Sequence, residues 1–376
     1  MKKLKTYKVC HLTSVHSIND IRIFTKECSS LAKNKFEVTL IACSDRFFED
    51  FKNGVKRISL GIPVKNRVQR IIKRTRAVYK KALEIDADLY HLHDPELLIF
   101  ALRLKRRGKK VIFDSHEFYG LQIREKEFLP KVLRNAIASL YLKYEAYVCR
   151  KIDAVVQVCT INGVDYFDQR SKQTIFVTNA PDISVFLPNN GIPFTKRSSI
   201  IYLGGLTHSR GITNLVEASA YTSVQITLAG PIEEPYKTDL ELLPEFKSIA
   251  YLGILDKQEV INCLNQSLAG IATLLNIGQY NKIDALPTKV YEYMAMGIPV
   301  ILSNTPFNKQ MNELYKFGIC VDSANPKEIA EAINYLKNNI TEAEEMGKRG
   351  KEAIEKFINW NYESQKLIKL YNLILS

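Results

Sequence analysis

The stretch Asp284-Ala-Leu-Pro-Thr-Lys-Val-Tyr-Glu-Tyr-Met-Ala-Met-Gly-Ile-Pro-Val-Ile301 reads as a helix handed on to a strand. Pro287 and Thr288 suit a helix start, Gly297 and Pro299 stop it, and a β-branched run follows. The same stretch carries chemistry. A helix N-terminus offers free N–H groups and a positive dipole end to a phosphate. Asp284 and Glu292 stand eight positions apart, about two helical turns, with Glu292 on the first turns of the helix. The pattern implies a phosphate at the helix tip and a polyol held by a carboxylate beside it, which is a nucleotide-sugar site. An amphipathic helix followed by a buried strand is the reading that needs no ligand.

Working outward, strands and helices alternate. Strands are predicted at Lys8–Thr13, Glu37–Cys43, Leu89–His93, Lys110–Asp114, Ala154–Val158 and Thr174–Val177, with helical patterns such as Ile21–Ala32 and Pro95–Lys105 between them. A turn-rich stretch, residues 179–182 and 188–193, breaks the rhythm and predicts an inter-domain linker. The rhythm resumes at Ser199–Leu203, Val224–Ala229, Ile249–Leu252, Ala269–Thr273, Pro299–Ser303 and Ile319–Val321. The expectation is an α/β protein with two doubly wound parallel sheets, an N-terminal domain over 1–185 and a C-terminal domain over 186–356. The helical tail from about Glu342 carries Phe357, Trp360, Tyr362, Leu367, Ile368, Leu370 and Tyr371, and so much apolar surface predicts that residues 357–376 pack back on the first domain.

The chain has 376 residues, 46% of them hydrophobic, more than one core usually supports and enough for two. No apolar run approaches the ~20 residues of a membrane span. The basic N-terminus is followed only by a short strand-like stretch, so neither a signal peptide nor an anchor is expected. Seven cysteines without a Cys-x-x-Cys pair fit a reducing cytosol. Residues 1–180 hold 35 Lys and Arg against 19 Asp and Glu, a net +16, while residues 181–376 hold 18 against 21, a net −3. Within Val64–Lys81, Val64, Val68, Ile71, Ile72, Val78 and Tyr79 recur at helical spacing among basic residues. Such a helix suits an anionic membrane surface, and equally a core-packed helix with a solvated basic face.

A second strand–turn–helix pattern opens the latter half, Tyr202-Leu-Gly-Gly-Leu-Thr-His-Ser-Arg-Gly-Ile-Thr-Asn-Leu-Val-Glu-Ala218. Gly204 and Gly205 let a ligand approach the backbone, and Arg210, just before the helix, offers fork-shaped donors to a diphosphate. Together with Asp284–Glu292 downstream in the same sheet, it places a ligand at the carboxyl ends of the strands.

Through essentially its whole length the chain resembles the retaining group-1, or family-four, glycosyltransferases of the GT-B fold. The marks are His11-Leu-Thr-Ser14 with Asp20-Ile-Arg-Ile-Phe24, His91-Leu-His-Asp-Pro95, Phe113-Asp-Ser-His-Glu-Phe118, Tyr202-Leu-Gly-Gly205 with Arg210-Gly211, and Pro287-Thr-Lys-Val-Tyr-Glu-Tyr-Met-Ala295. The resemblance implies two Rossmann-like domains facing a cleft, the second binding a nucleoside-diphosphate sugar and the first an acceptor, either a saccharide or a lipid-linked saccharide. It implies retention of anomeric configuration. Two departures are visible: Asp284 stands where the family often has Glu, and Gly205 and Arg210 stand where it often has Gly-Arg and a Lys.

The leaving diphosphate needs its charge stabilised, which cations and helix amides can do without a metal. That role falls to Arg210 and the amides of Thr288, Lys289 and Val290, with Gly204 and Gly205 lining the donor site. By resemblance Glu292 takes the ribose hydroxyls, His116 and Asp284 lie near the transferred sugar, and Ser14, His16, Asp20 and His93 belong to the acceptor side. Asp20 and Arg22 would equally make a local ion pair. No metal site and no cofactor are expected, since no His pair has helical ligand spacing. A cytoplasmic enzyme of cell-surface polysaccharide synthesis is expected, with peripheral contact at the inner membrane face as the second expectation. The alternatives are a GT-B-fold sugar-nucleotide epimerase, needing no acceptor, and a basic nucleic-acid-binding protein. The latter lacks both a motif and base-stacking aromatics among its charges, so no nucleic-acid partner is expected.

Overall fold

The structure, a computed structural model, describes residues 6–116, 118–125, 130–183, 192–277 and 282–376. Glu117, most of the 188–193 linker stretch and the expected 185/186 boundary lie outside the described residues. The chain forms two compact units, one of residues 1–179 with 361–376 and the other of residues 180–360.

The first unit holds eight strands: β1 (Lys8–Leu12), β2 (Glu37–Ser44), β3 (Phe48–Lys52), β4 (Val55–Gly61), β5 (Leu89–Leu92), β6 (Lys110–Ser115), β7 (Ala154–Gln157) and β8 (Thr174–Phe176). Their spatial order is β3-β4-β2-β1-β5-β6-β7-β8. All pairs are parallel except β3 with β4. That hairpin was not among the expected strands. Asn53 and Gly54, with φ of +54° and +78°, form its left-handed two-residue turn, an Asn-Gly signal typical of tight hairpins. One of its charges is buried. Arg57 is buried, donates from Nε to Asp50 across the hairpin at 2.8 Å, and lies 4.5 Å from the Phe24 ring centroid.

The amphipathic pattern of Val64–Tyr79 does not form one buried stripe. A helical run covers Arg67–Ile85, with a π-helical piece over Arg70–Arg74. Its later part packs inward, with Val78 in the core and Tyr79 stacked on Phe100 at 4.3 Å. Val68 and Ile72 instead remain 64% and 58% exposed. The expected helical tail is likewise two helices, Ile340–Lys356 and Trp360–Leu375. Leu367, Ile368, Leu370 and Tyr371 of the last helix are buried, whereas Phe357 and Tyr362 are exposed. Each fully buried Leu or Ile contributes about 1.5–3 kcal/mol, so this short helix has ample reason to dock on the unit that contains it.

The second unit is a six-stranded parallel sheet of β9 (Ser199–Leu203), β10 (Gln225–Ala229), β11 (Ala250–Tyr251), β12 (Ser267–Ala272), β13 (Val300–Ser303) and β14 (Gly318–Val321), ordered β11-β10-β9-β12-β13-β14. In both sheets the strand order reverses next to the first strand, between β1 and β5 and between β9 and β12. The carboxyl ends beside such a reversal form a crevice. The helix Thr288–Ala295 lies tightly on this sheet: a Cβ on Gly270 would meet the Tyr293 ring at 2.3 Å. The Tyr293 hydroxyl also accepts the Leu203 N–H at 2.9 Å.

Candidate functional site

In the second unit, the ends of β9, β12 and β13 converge on the tip of the helix Thr288–Ala295. A pocket of about 200 Å³ there is lined by, among others, Arg210, Leu286, Thr288, Lys289, Ser303 and Asn308. Gly204 has φ +114°, a conformation L side chains rarely adopt, and a Cβ there would meet Arg210 Nη1 and Lys289 Nζ, each at 3.3 Å. The glycine turn thus makes room for two cations. Arg210 Nη1 donates to the Gly205 carbonyl at 3.3 Å.

Lys289 is buried, and its Nζ makes no hydrogen bond among the described residues. Burial, reinforced by Arg210 and opposed by Glu292, holds its amine well below the usual lysine range. Val290 differs from the expectation: its side chain is in the core and its N–H donates to the Pro287 carbonyl at 2.9 Å, which leaves the tip to Thr288 and Lys289. Asp284 precedes the helix in a loop and Glu292 lies a turn inside it, both half-buried. Neither is among the pocket-lining residues. Ser303, Thr305 and Asn308 were missed. Their signal was the Thr305-Pro306 pair, a helix cap with proline at the first helical position, and Thr305 does cap the helix Pro306–Tyr315.

In the first unit, the loops after β1, β5 and β6 enclose a cavity of about 590 Å³. Its wall includes His16, His93, Asp94, Asp114 and His116, with Lys65 and Arg70 on another side. Register explains the grouping: His11 pairs with His91 across β1 and β5, and His93 and His116 follow the ends of β5 and β6. Asp114 is fully buried and receives Arg22 Nε and Nη2, each at 3.1 Å. Burial works against ionising it, but Arg22 and His116 overcome this and hold its carboxyl well below the usual range. Arg22 therefore pairs across the sheet rather than with Asp20. Asp20 caps the helix at Ile21–Cys28 by accepting the Ile23 N–H at 2.9 Å.

Of the expected acceptor-side residues, His16 and His93 line the cavity, while Ser14 and Asp20 do not. The Ser14 hydroxyl donates to Asp94 at 3.1 Å, as does that of Thr13 at 3.0 Å, so Ser14 holds Asp94 in place. His16 lies 3.5 Å from both Asp20 and Asp94. Burial lowers its ring, but the hydrogen bond to Asp20 and the Asp94 charge outweigh that and raise it. Burial brings Asp20 up, while His16 and the Ile23 amide carry it down to about 2. Asp94, Arg70, Glu27 and Tyr371 were missed; only Asp94 had a signal, in His91-Leu-His-Asp-Pro95. Two groups place His, Asp or Glu ligand atoms within 4.8 Å of one another: His11, Glu27, His91 and His93, and His93, Asp114 and His116.

Two sheets with reversal-point crevices, one with buried Lys289 and half-buried Arg210 at a helix tip, fit a glycosyltransferase of GT-B architecture. Residues 188–353 match the family described as glycosyl transferases group 1, and residues 24–160 match glycosyltransferase family 4. The spore coat protein SA of Bacillus subtilis (strain 168) is 35% identical over 260 residues, 60% of this chain and 67% of that protein. The chain belongs to the group-1 glycosyltransferases. Among solved structures, sucrose-phosphate synthase from Thermosynechococcus elongatus aligns with a TM-score of 0.77 at 16% identity, covering 98% of this chain and 99% of that one. Anabaena HepE in complex with UDP and glucose aligns at 0.70 and 12% identity, covering 97% and 99%. Both share its fold.

Proposed function

We propose that this glycosyltransferase takes its sugar from a nucleoside-diphosphate sugar and passes it, with retention of anomeric configuration and without a metal ion, to a saccharide or lipid-linked saccharide. The observation that carries the donor reading is Lys289, a buried amine with no hydrogen-bond partner beside Arg210 at a helix tip. A diphosphate supplies what this arrangement lacks. Its oxygens accept from both cations and from the free amides of the first helical turn, and the same donors stabilise the charge that develops as the sugar leaves. That HepE binds UDP and glucose in a similar fold is consistent with the assignment. Glu292 takes the ribose hydroxyls and Asp284 the donor sugar.

The acceptor belongs to the first unit, whose cavity of about 590 Å³, with His16, His93, Asp94 and His116 in its wall, suits a saccharide and has no use in a donor-only epimerase. Asp114 accepts the His116 Nε2–H at 2.9 Å, which leaves Nδ1 as the ring's acceptor for a substrate hydroxyl. We place the enzyme in the cytoplasm, in cell-surface polysaccharide synthesis, with peripheral contact at the inner membrane face. Exposed Val68 and Ile72 beside exposed Lys73 and Arg76 support that contact. Among the described residues no helix is long and apolar enough to cross a membrane.

The test is a thermal-shift panel of UDP, GDP, ADP and their sugars with and without EDTA. A ligand at a hundred times its Kd should stabilise by about 2.7 kcal/mol, unchanged by chelator. No shift with any nucleotide overturns the donor reading, and a shift that EDTA abolishes and magnesium restores overturns metal independence.

A further inference from the structure

The deepest side chains of the first unit form a chain of hydrogen bonds ending on the C-terminal helix. His116 Nε2 lies 2.9 Å from Asp114 Oδ2 and 3.2 Å from His93 Nδ1. His93 Nε2 lies 2.8 Å from His11 Nδ1. His11 Nε2 lies 3.1 Å from the Tyr371 hydroxyl, which is also 2.7 Å from His91 Nδ1. His11, His91, His93, Asp114 and Tyr371 are all buried.

Fixing one end of this chain fixes every proton in it. Asp114, doubly bonded by Arg22, is ionised and only accepts, so His116 carries its proton on Nε2. His93 Nδ1 faces that N–H, and the Asp114 oxygen is 3.6 Å away, beyond hydrogen-bond reach. A proton on His93 Nδ1 would therefore meet another donor, and this nitrogen must be a lone pair. Burial keeps the rings neutral, bringing His93 down to about 4 and His11 and His91 well below the ordinary value. A neutral imidazole has one N–H, so His93 holds it on Nε2 and donates to His11 Nδ1. His11 then holds its own on Nε2 and donates to Tyr371. The Tyr371 proton goes to His91 Nδ1, and His91 keeps its N–H on Nε2, where no acceptor meets it among the described residues.

We propose that Tyr371 is a positioning residue: by accepting from His11 it holds His11 and His93 in their Nε2-protonated forms, so that the His93 Nδ1 lone pair faces the His116 N–H that Asp114 fixes, tying the wall of the acceptor cavity to the C-terminal helix. The meaning for catalysis rests on the proposed role of His116; the proton arrangement does not. Without the hydroxyl, the His11 N–H is buried with no acceptor, a second unsatisfied N–H beside that of His91. His11 escapes this by moving its proton to Nδ1. That proton opposes the His93 Nε2–H, drives His93 to the Nδ1 form, and so sets a donor against the His116 N–H.

His11, Glu27, His91 and His93 would also be the ligand set of a buried divalent ion. Both nitrogens of His11 and of His93 are already engaged in hydrogen bonds. Burial and the Asp114 charge push the Glu27 carboxyl well up, against the pull of Arg22, and a neutral acid is a poor ligand. Proton sharing is the arrangement these atoms support.

The experiment is ¹⁵N NMR of the histidine rings in the full chain, with elemental analysis of the same sample. Wild type should show His11, His91, His93 and His116 all protonated on Nε2. Tyr371→Phe should move His11 and His93 toward the Nδ1 form and shift the His116 ring signals. Phe36→Leu, which removes the ring packed edge-on against Tyr371 at 5.6 Å but keeps the hydroxyl, should leave all four as in wild type. The proposal is overturned by an Nδ1 proton on His11 or His93 in wild type, by unaltered tautomers in Tyr371→Phe, by equal shifts in Phe36→Leu, or by one retained zinc per chain. The wild-type spectrum decides alone should Tyr371→Phe not fold. These readings need no substrate, so their failure leaves the transferase assignment standing. Sugar transfer that survives His116→Ala would instead remove the catalytic role and leave the proton chain intact.

Discussion

Lys289 Nζ stands 3.5 Å from the centroid of the Tyr202 ring. Together with the Glu292 charge, the ring face compensates a buried amine that makes no hydrogen bond among the described residues, and such contacts contribute on the order of 1–2 kcal/mol. The side chain is held in place, without a partner, at the helix tip where a diphosphate would arrive.

Lys289→Met should therefore separate stability from function. Removing a buried, unsatisfied donor should stabilise the free protein by about 1–3 kcal/mol, while nucleotide affinity falls tenfold or more. Its depressed pKa adds a pH signature. Burial lowers the amine's pKa and a diphosphate beside it raises it, so binding takes up a proton wherever the free amine is partly deprotonated, and affinity weakens as pH rises above the free-protein value. Calorimetric titration with UDP in buffers of differing ionisation heat reads that proton directly. A binding heat independent of buffer, or a variant both less stable and unimpaired in binding, would count against the role.

Arg210 carries the second cation. Its Nη1 bond to the Gly205 carbonyl, at 3.3 Å, is long, so little is lost by redirecting it to a ligand. Arg210→Ala should weaken nucleotide binding and slow transfer by roughly tenfold or more, with little change in melting temperature. Unchanged kinetics would sink the assignment.

How far the sequence could be read depends on the range of the interactions involved. Strand–helix alternation and the helix at Thr288 are local, written in periodicity and in Gly and Pro punctuation, and so were legible. The β3–β4 hairpin was passed over although Asn53-Gly54 announces it. Arg57 is satisfied across the hairpin by Asp50, a pairing visible only once the strands are in register. Glu27 and Tyr371 could not be found, since their contacts with the histidines span up to 360 positions and neither residue stands in a motif.

Glu27 gives a pH test with a definite sign. Its folded-state pKa is raised by burial and by Asp114, so the folded protein holds a proton that the unfolded chain releases near pH 4–5. Its contribution to stability is full below that pH and is lost as pH rises toward the folded value. Gln mimics the neutral acid and does not titrate. Glu27→Gln should match wild type in acid and become progressively more stable than it as pH rises above about 5, as read from melting temperatures across pH. Parallel curves for the two proteins would show that Glu27 is ionised in the fold.

The membrane contact can now be tested with residues chosen by structure. Three of the basic residues in the 64–81 segment are committed locally among the described residues: Arg70 pairs with Glu96 at 3.3 Å, Arg74 with Asp45 at 3.0 Å and the Ile62 carbonyl at 3.0 Å, and Lys81 with Glu84 at 2.8 Å. Lys73 and Arg76 are exposed, and so are Val68 and Ile72. Each basic side chain near an anionic surface contributes about 1 kcal/mol, an effect that fades over a Debye length, while the two aliphatic side chains add a contribution that salt does not screen. Wild type should therefore co-sediment with anionic vesicles at low salt and be only partly released at high salt. Changing Lys73 and Arg76 to Gln should remove the salt-sensitive part, and changing Val68 and Ile72 to Ser the remainder. Neither change touches the core, so melting temperatures should stay near wild type. Equal binding by all three proteins, or no binding to anionic vesicles at low salt, would dismiss the membrane and leave a soluble saccharide as the acceptor.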